Sequence, residues 1–363
     1  MDGEESARFR SLLPWVDRVW AGLKERMGLK FRALDCAGDC AYCCGVMNLV
    51  NTVAIARTEA QGYFTPDAEP EAIKSFYETN GFLVMQKAFD LAEAKALREE
   101  AVAICRGKRG EIKHAPPQPD HLSDDQVLRQ FLCIHFPHKQ SESVREALFN
   151  PAALKVLTAV IGPNVKCMQS MLFIKSAGKP GQAWHQDEDY IPTRDRSLTG
   201  GWIALDDATI ENGCLWVIPG SHRPGVLWEQ EWHGDRRFDC SDESVGFPYA
   251  DDQAIPVEVE AGSVVFFNGY TLHRSLPNTA PPGTYRRALV NHFMSCESHL
   301  AWGPQPEDVS SAKWDCRDVV VVAGEDPYAH RGYADEHEVI LRPDGRSGCM
   351  DWGASDERVY RDA

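Results

Sequence analysis

Trp184-His185-Gln186-Asp187 sets an imidazole and a carboxylate two positions apart. Successive side chains of a β-strand alternate faces, so His185 and Asp187 would point at one spot. Such a pair calls for a third ligand. Two His and one carboxylate on a common face leave coordination positions open and suit non-haem iron(II), and the missing His must come from a strand remote in the chain. His273, in the stretch Asn-Gly-Tyr-Thr-Leu-His-Arg-Ser-Leu-Pro-Asn from Asn268 to Asn278, fits that role. Alone, each of the three reads more readily as a hydrogen-bonded core or surface residue. Their joint placement at the ends of strands makes them metal candidates.

From Lys166 onward the chain has the character of a β domain. The runs Cys167–Ile174, Ala183–Asp187, Trp202–Leu205, Cys214–Ile218, Ile255–Val259, Ser263–Phe267, Leu272–Ser275 and Tyr285–Met294 are short, apolar or aromatic, and separated by Gly, Pro and Asn. Asn212-Gly213 and Pro219-Gly220 read as tight turns. Helices precede these strands. Glu71–Asn80 should end at Gly81, Asp90 with Glu93 forms a capping box for the next helix, and a third opens at Asn150-Pro151 and stops at Gly162. Short strands after flanking helices predict a mainly β fold with a double-stranded β-helix, a cupin-like jelly roll.

The block Gln169–Lys175, the His185/Asp187 pair, Trp202, the run Glu211–His222, His273 with Ser275 and Asn278, and Tyr285-Arg286-Arg287-Ala288 resemble, in order and spacing, the phytanoyl-CoA dioxygenase-like family of Fe(II)/2-oxoglutarate oxygenases. The resemblance runs from about Phe76 to Ser295. It implies Fe(II) held by His185, Asp187 and His273, with 2-oxoglutarate and O2 as co-substrates and ascorbate as an accessory reductant. It also implies that an Arg on the last core strand receives the far carboxylate of 2-oxoglutarate, a task suited to a planar guanidinium that can meet both oxygens. Arg286 maps onto that Arg. Alternation alone leaves Arg287, on the opposite face, as the rival. By the same resemblance Ser275 assists that carboxylate, and Gln169 and Trp202 line the co-substrate pocket; core packing for Trp202 and a solvent-facing position for Gln169 are the alternatives. Iron halogenases related to this family lack the carboxylate that Asp187 supplies, so hydroxylation is favoured, or desaturation or cyclisation by the same hydrogen abstraction.

Composition narrows the rest. The net charge is −16, from 38 Lys and Arg against 54 Asp and Glu, which argues against a nucleic-acid partner. No long apolar run marks a membrane span, and the acidic start Met-Asp-Gly-Glu-Glu is unlike an export signal, so a cytoplasmic monomer or homodimer acting on a small molecule is expected. The expected division is a helical extension at 1–68, the dioxygenase domain at 69–296 and a lid or tail at 297–363. An amphipathic helix should span Leu12–Met27, with Val16, Val19, Trp20 and Leu23 on its apolar face. Cys36, Cys40, Cys43 and Cys44 could hold zinc or an iron–sulfur cluster, and the first three share the spacing of radical-SAM enzymes, but no other motif supports that chemistry and they read as reduced thiols.

Substrate-side residues are sparse. His135 and His138, in the segment Phe131–Lys139, and the Tyr190–Arg194 stretch, which follows the metal motif closely, read as structural or substrate-contacting. Glu188 and Asp189 would add negative charge beside the metal and favour an amine-bearing or neutral substrate over a CoA thioester. Two other functions compete: a cupin-type metalloenzyme that needs no 2-oxoglutarate, which the paired Arg residues argue against, and a non-catalytic binding protein on the same scaffold.

Overall fold

The computed structural model describes residues 57–239, 242–298, 320–331 and 338–342. The expected helix at Leu12–Met27, the four clustered cysteines and most of the C-terminal tail lie outside these residues. Helix α1 (Pro70–Asn80) starts on a proline, whose missing N–H costs nothing in a first turn. It stops at Gly81, whose φ of 77° turns its N–H onto the Tyr77 carbonyl at 2.7 Å. Helix α2 (Leu91–Cys105) opens with a reciprocal cap: Glu93 N–H donates to Asp90 Oδ1 at 2.8 Å and Asp90 N–H to Glu93 Oε2 at 2.7 Å. Two short helices follow, α3 (Asp124–Leu128) and α4 (Glu142–Ala147). Helix α5 (Pro151–Val160) is capped by Asn150, whose Oδ1 accepts from Ala153 N–H at 3.0 Å.

The strands before the metal motif are β1 (Tyr63–Phe64), β2 (Phe82–Met85), β3 (Cys133–His135) and β4 (Val165–Ser176). Then come β5 (Gln182–His185), β6 (Thr199–Ala204), β7 (Leu215–Val217), β8 (Gln230–Glu231) and β9 (Glu243–Ser244). The rest are β10 (Ile255–Val257), β11 (Val264–Asn268), β12 (His273–Ser275), β13 (Tyr285–Ser295), β14 (Val320–Ala323) and β15 (Ile340–Arg342). The larger sheet runs β1-β2-β11-β6-β13-β4-β3-β15 with β14 also on β4, and the smaller runs β10-β7-β12-β5. Apart from the parallel pair β1 and β2, neighbours in these two sheets are antiparallel.

The larger sheet is covered on both faces, so its strands read as continuous apolar runs instead of alternating ones. Val264, Phe266 and Leu289 face outward into a core with Ile73, Ile104 and Leu157 of the helices. Their strand neighbours Val265, Phe267 and Val290 face inward onto Leu215, Val217 and Val257 of the smaller sheet. Burying a side chain such as Phe266 completely contributes about 1.5–3 kcal/mol. Two sheets packed face to face with helices behind one of them make the predicted jelly roll. Among the described residues no helix is long and apolar enough to cross a membrane.

The eight strands expected between Lys166 and Met294 all form, with ends shifted by up to three residues. One shift matters for the site. The strand expected at Ala183–Asp187 ends at His185, and Asp187 begins the short helix α6 (Asp187–Tyr190). Gln186 between them keeps an extended backbone (φ −129°, ψ 122°), so the imidazole and carboxylate still emerge on one side although Asp187 is not in the sheet.

Candidate active site

Cross-strand pairing builds the metal candidates. β12 pairs antiparallel with β5 so that His273 stands directly opposite His185, and the ring centroids are 4.0 Å apart. Each ring is oriented by a local hydrogen bond: Nδ1 of His185 is 2.8 Å from the Ala183 carbonyl, and Nδ1 of His273 is 2.9 Å from the Thr271 carbonyl. A carbonyl only accepts, so both Nδ1 atoms carry a proton, which leaves the Nε2 atoms to face the cluster. Both Nε2 atoms converge on a carboxylate. Asp187 Oδ1 lies 3.7 Å from His185 Nε2 and 3.6 Å from His273 Nε2, and all three residues are buried.

The electrostatics match a cation site. Burial, then the nearby His273, pushes the His185 imidazole down to about 3, so it is neutral at ordinary pH. Burial alone would raise Asp187, but the imidazoles of His273 and His292 outweigh it and hold the carboxyl ionised. Two ring nitrogens and an anionic oxygen facing one another at 3.6 and 3.7 Å, beyond hydrogen-bonding distance, form a donor set that a cation would join. This donor set fits ferrous iron, which takes imidazole and carboxylate together.

Gln186, the residue inside the motif that faces away from this cluster, locks the segment in place. Its Nε2 donates to the carbonyls of Tyr270 (2.8 Å) and Val226 (3.0 Å), and its Oε1 accepts from Trp228 N–H at 2.9 Å.

A cavity between the sheets adjoins the three ligands and is lined by Trp202, Lys175, Ser275, Arg286 and His292 among others. Arg286 is buried, with its Cζ 5.4 Å from the centre of the Trp202 ring and its Nε donating to the Gly213 carbonyl at 3.1 Å. Lys175 stands directly opposite it across β4 and β13. Its Nζ donates to Ser275 Oγ and the Leu276 carbonyl, each at 2.8 Å. Burial drives the Lys175 ammonium well below its ordinary value, with Arg286 adding to the shift, and burial brings Arg286 down to about 10. Like charges directly opposite on a sheet are destabilising, and burying each costs several kcal/mol. Among the described residues neither cation has a carboxylate within ion-pair distance. Two buried basic groups side by side suit a carboxylate between them.

Gly213 lets the chain pass over this pair. Its φ is 84°, and a Cβ there would collide with the Leu276 carbonyl and stand 3.1 Å from Lys175 Nζ. Asn278 closes the other side, its Nδ2 donating to the Lys175 carbonyl at 2.9 Å and its Oδ1 accepting from Ala280 N–H at 3.0 Å. Asn278→Ala should therefore destabilise the fold by about 1–3 kcal/mol through the exposed partners it leaves in a buried turn, measurable as a lowered midpoint in urea unfolding with an unchanged slope.

The remaining sequence candidates lie elsewhere. Arg287 points to the other face, where its Nε and Nη2 meet the Asp206 carboxylate at 2.8 and 2.7 Å. Gln169 shares its strand face with Met171 and Lys175 but is not among the residues lining the cavity; its Nε2 is 3.0 Å from His135 Nδ1. His138 Nδ1 lies 2.5 Å from Ser170 Oγ, and neither His135 nor His138 lines the cavity. The reading of Glu188 and Asp189 as charge bordering the metal is corrected. Burial raises Glu188 to about 7, its Oε1 accepts from Thr193 N–H at 2.6 Å, Asp189 is exposed, and neither borders the cavity. The preference for an amine-bearing substrate loses its basis. Asp239 does line the cavity, but its Oδ2 is 3.0 Å from Arg342 Nη2.

Lys175, His292 and Gln186 were not singled out from the sequence. Lys175 and His292 lie on cavity-facing positions of β4 and β13, an even number of residues from Gln169 and Arg286 respectively, so strand alternation held the signal.

A family model described as phytanoyl-CoA dioxygenase (PhyH) matches residues 77–288. The phytanoyl-CoA dioxygenase of Arabidopsis thaliana is 36% identical over 274 residues, covering 74% of this chain and 78% of that protein. The peroxisomal phytanoyl-CoA dioxygenase of Homo sapiens is 27% identical over 282 residues, covering 74% of this chain and 78% of its own. Among solved structures, apo ThoJ, titled a non-heme monooxygenase, has a TM-score of 0.54 at 20% identity and covers 75% of this chain and 88% of that one. CytC3 has a TM-score of 0.51 at 20% identity, covering 77% and 94%. At such identities these two structures speak to the fold, which is shared.

Proposed function

The chain belongs to the phytanoyl-CoA dioxygenase family, and on that premise we propose that it is an Fe(II)- and 2-oxoglutarate-dependent dioxygenase that hydroxylates an aliphatic carbon of a small molecule. The observation that carries this reading is the pairing of two sites in one cavity: two imidazoles with a carboxylate at one end and, at the other, two buried cations that have no carboxylate partner among the described residues. A 2-oxo diacid fits that pairing, with its oxo-acid end toward the metal and its far carboxylate between Lys175 and Arg286. A cupin metalloenzyme without 2-oxoglutarate, or a binding protein, has no use for the two cations.

Iron(II) with 2-oxoglutarate supplies the oxidising chemistry, consuming O2, releasing succinate and CO2 and placing a hydroxyl on the substrate carbon. The protein's part is placement. His185, Asp187 and His273 would hold the metal, at the wall of the cavity that would take the co-substrate. Arg286 and Lys175 would fix the co-substrate at its far end, Ser275 would orient the Lys175 ammonium, and Trp202 would wall the pocket and exclude water. Asp187 supplies the carboxylate ligand, which favours oxygen transfer.

The family's namesake substrate is an acyl-CoA thioester, and the human relative is named peroxisomal. For this chain we infer a small-molecule substrate and a cytoplasmic location. Succinate release measured across acyl-CoA thioesters, free acids, amino acids and polycyclic alcohols tests the reading. Stimulation of at least about tenfold over the substrate-free rate by one class identifies the substrate, a difference of about 1.4 kcal/mol in barrier. Substrate oxidation without succinate would refute the proposed function.

A further inference from the structure

Asp187 shows its two oxygens to different neighbours. Oδ1 faces the Nε2 atoms of His185 and His273 at 3.7 and 3.6 Å, whereas Oδ2 lies 3.0 Å from Nε2 of a third imidazole, His292. His292 is buried on β13, on the face that also presents Arg286 and Val290 to the cavity, and it lines that cavity with Asp187. One strand thus carries the cation for the co-substrate at one end and, about 20 Å of extended chain further on, an imidazole beside the metal ligand.

Neither His185 nor His273 makes a hydrogen bond to Asp187, since their Nε2 atoms stand 3.7 and 3.6 Å from Oδ1 and their Nδ1 atoms face backbone carbonyls. Among the described residues His292 is the one side chain within hydrogen-bond distance of this carboxylate that can donate to it. The contact is also the single polar contact His292 makes, since its Nδ1 is buried without a partner among the described residues. A histidine kept only to tie strands together would be bonded to the strands. This one is bonded to a metal-ligand candidate.

We propose that His292 is a positioning residue whose Nε2–H holds Asp187 Oδ2, so that the carboxylate offers Oδ1 alone to the metal and cannot turn to bind through both oxygens. The consequence is an open coordination position where a second carboxylate oxygen would otherwise sit, free for the co-substrate. The inference rests on the metal reading given above. Partners of this kind set metal affinity by about 10–100-fold in other sites.

The test is titration of metal-free full-length protein with Co(II), without oxygen, reading both affinity and the visible absorption that follows coordination number. His292→Gln keeps an amide N–H near the place of Nε2, whereas His292→Asn and His292→Phe have no donor that reaches Asp187. Wild type and His292→Gln should agree within about threefold with the same spectrum, and the Asn and Phe variants should bind about 10–100-fold more weakly with an altered one. Circular dichroism of the metal-free proteins establishes folding, and either the Asn or the Phe variant suffices if the other does not fold. Asn or Phe protein that binds Co(II) like wild type, with an unchanged spectrum, would overturn the proposal. So would a Gln variant that falls as far as Phe, because the ring's shape and not its N–H would then matter. Folded wild-type protein that takes up no Co(II) would overturn the metal reading and this inference with it.

Discussion

Asp187→Ala is expected to reduce 2-oxoglutarate turnover by at least about 10³-fold, equivalent to some 4 kcal/mol of barrier, and to leave the protein without iron after loading and desalting. Asp187 is the anionic member of the cluster, and its Oδ1 is the atom both imidazoles face. Removing it leaves two imidazole nitrogens and no anionic ligand, a set too poor in charge to retain a divalent ion against buffer. His185→Ala should match it in effect, since the cross-strand pairing that opposes His185 to His273 gives neither ring a substitute. The fold should survive both changes. Asp187→Ala strands the Nε2–H of His292 in a buried site, at about 1–3 kcal/mol, a modest loss beside the two apolar cores that flank the larger sheet. Metal analysis together with succinate formation checks the prediction, and an iron content equal to wild type in either variant would remove these residues from the metal site.

The second large effect concerns the other end of the cavity. Arg286→Leu should weaken 2-oxoglutarate binding by about 2–5 kcal/mol, the range for truncating one partner of a buried charged hydrogen bond, which at about 1.4 kcal/mol per tenfold is some 30-fold to several thousandfold in Kd. Lys175→Met should weaken it in the same direction. The two variants should nevertheless load iron like wild type, because neither group touches the metal ligands. Lys175→Met should also relieve the crowding of two cations on facing strands and so raise the thermal stability of co-substrate-free protein. Arg287→Gln is the control. It loses its contacts to Asp206 on the outer face, so its 2-oxoglutarate affinity should stay within about threefold of wild type. Isothermal titration without oxygen measures all three. Co-substrate binding that fails in Arg287→Gln and persists in Arg286→Leu would reverse the assignment.

What the sequence made legible divides along a physical line. Apolar and aromatic runs bounded by Gly, Pro and Asn located all eight strands between β4 and β13 that were expected, because burial demands those residues wherever a strand is covered on both faces. Caps at Asp90 and Asn150 and the stop at Gly81 were equally plain, since capping is local chemistry. Register is not local. Whether His185 faces His273, and whether Lys175 faces Arg286, depends on pairing between segments far apart in the chain, and only the latter pairing sets a buried lysine beside a buried arginine. The same holds for β3 and β15, which pair with each other although one lies before the metal motif and the other near the end of the described chain. Glu188 misled for a related reason. Adjacent to a ligand in sequence, it begins life in the turn of α6 and spends its charge on Thr193, because a helical turn does not alternate faces as a strand does.

The account is tested most directly by titrating metal-free protein with Fe(II) and then 2-oxoglutarate in the absence of oxygen, following the visible spectrum. A weak charge-transfer band should appear only when both are present, saturate at one equivalent of each, and vanish in Asp187→Ala. Protein that binds Fe(II) tightly yet develops no band at saturating 2-oxoglutarate would contradict the claim that one cavity holds the metal and the keto diacid side by side.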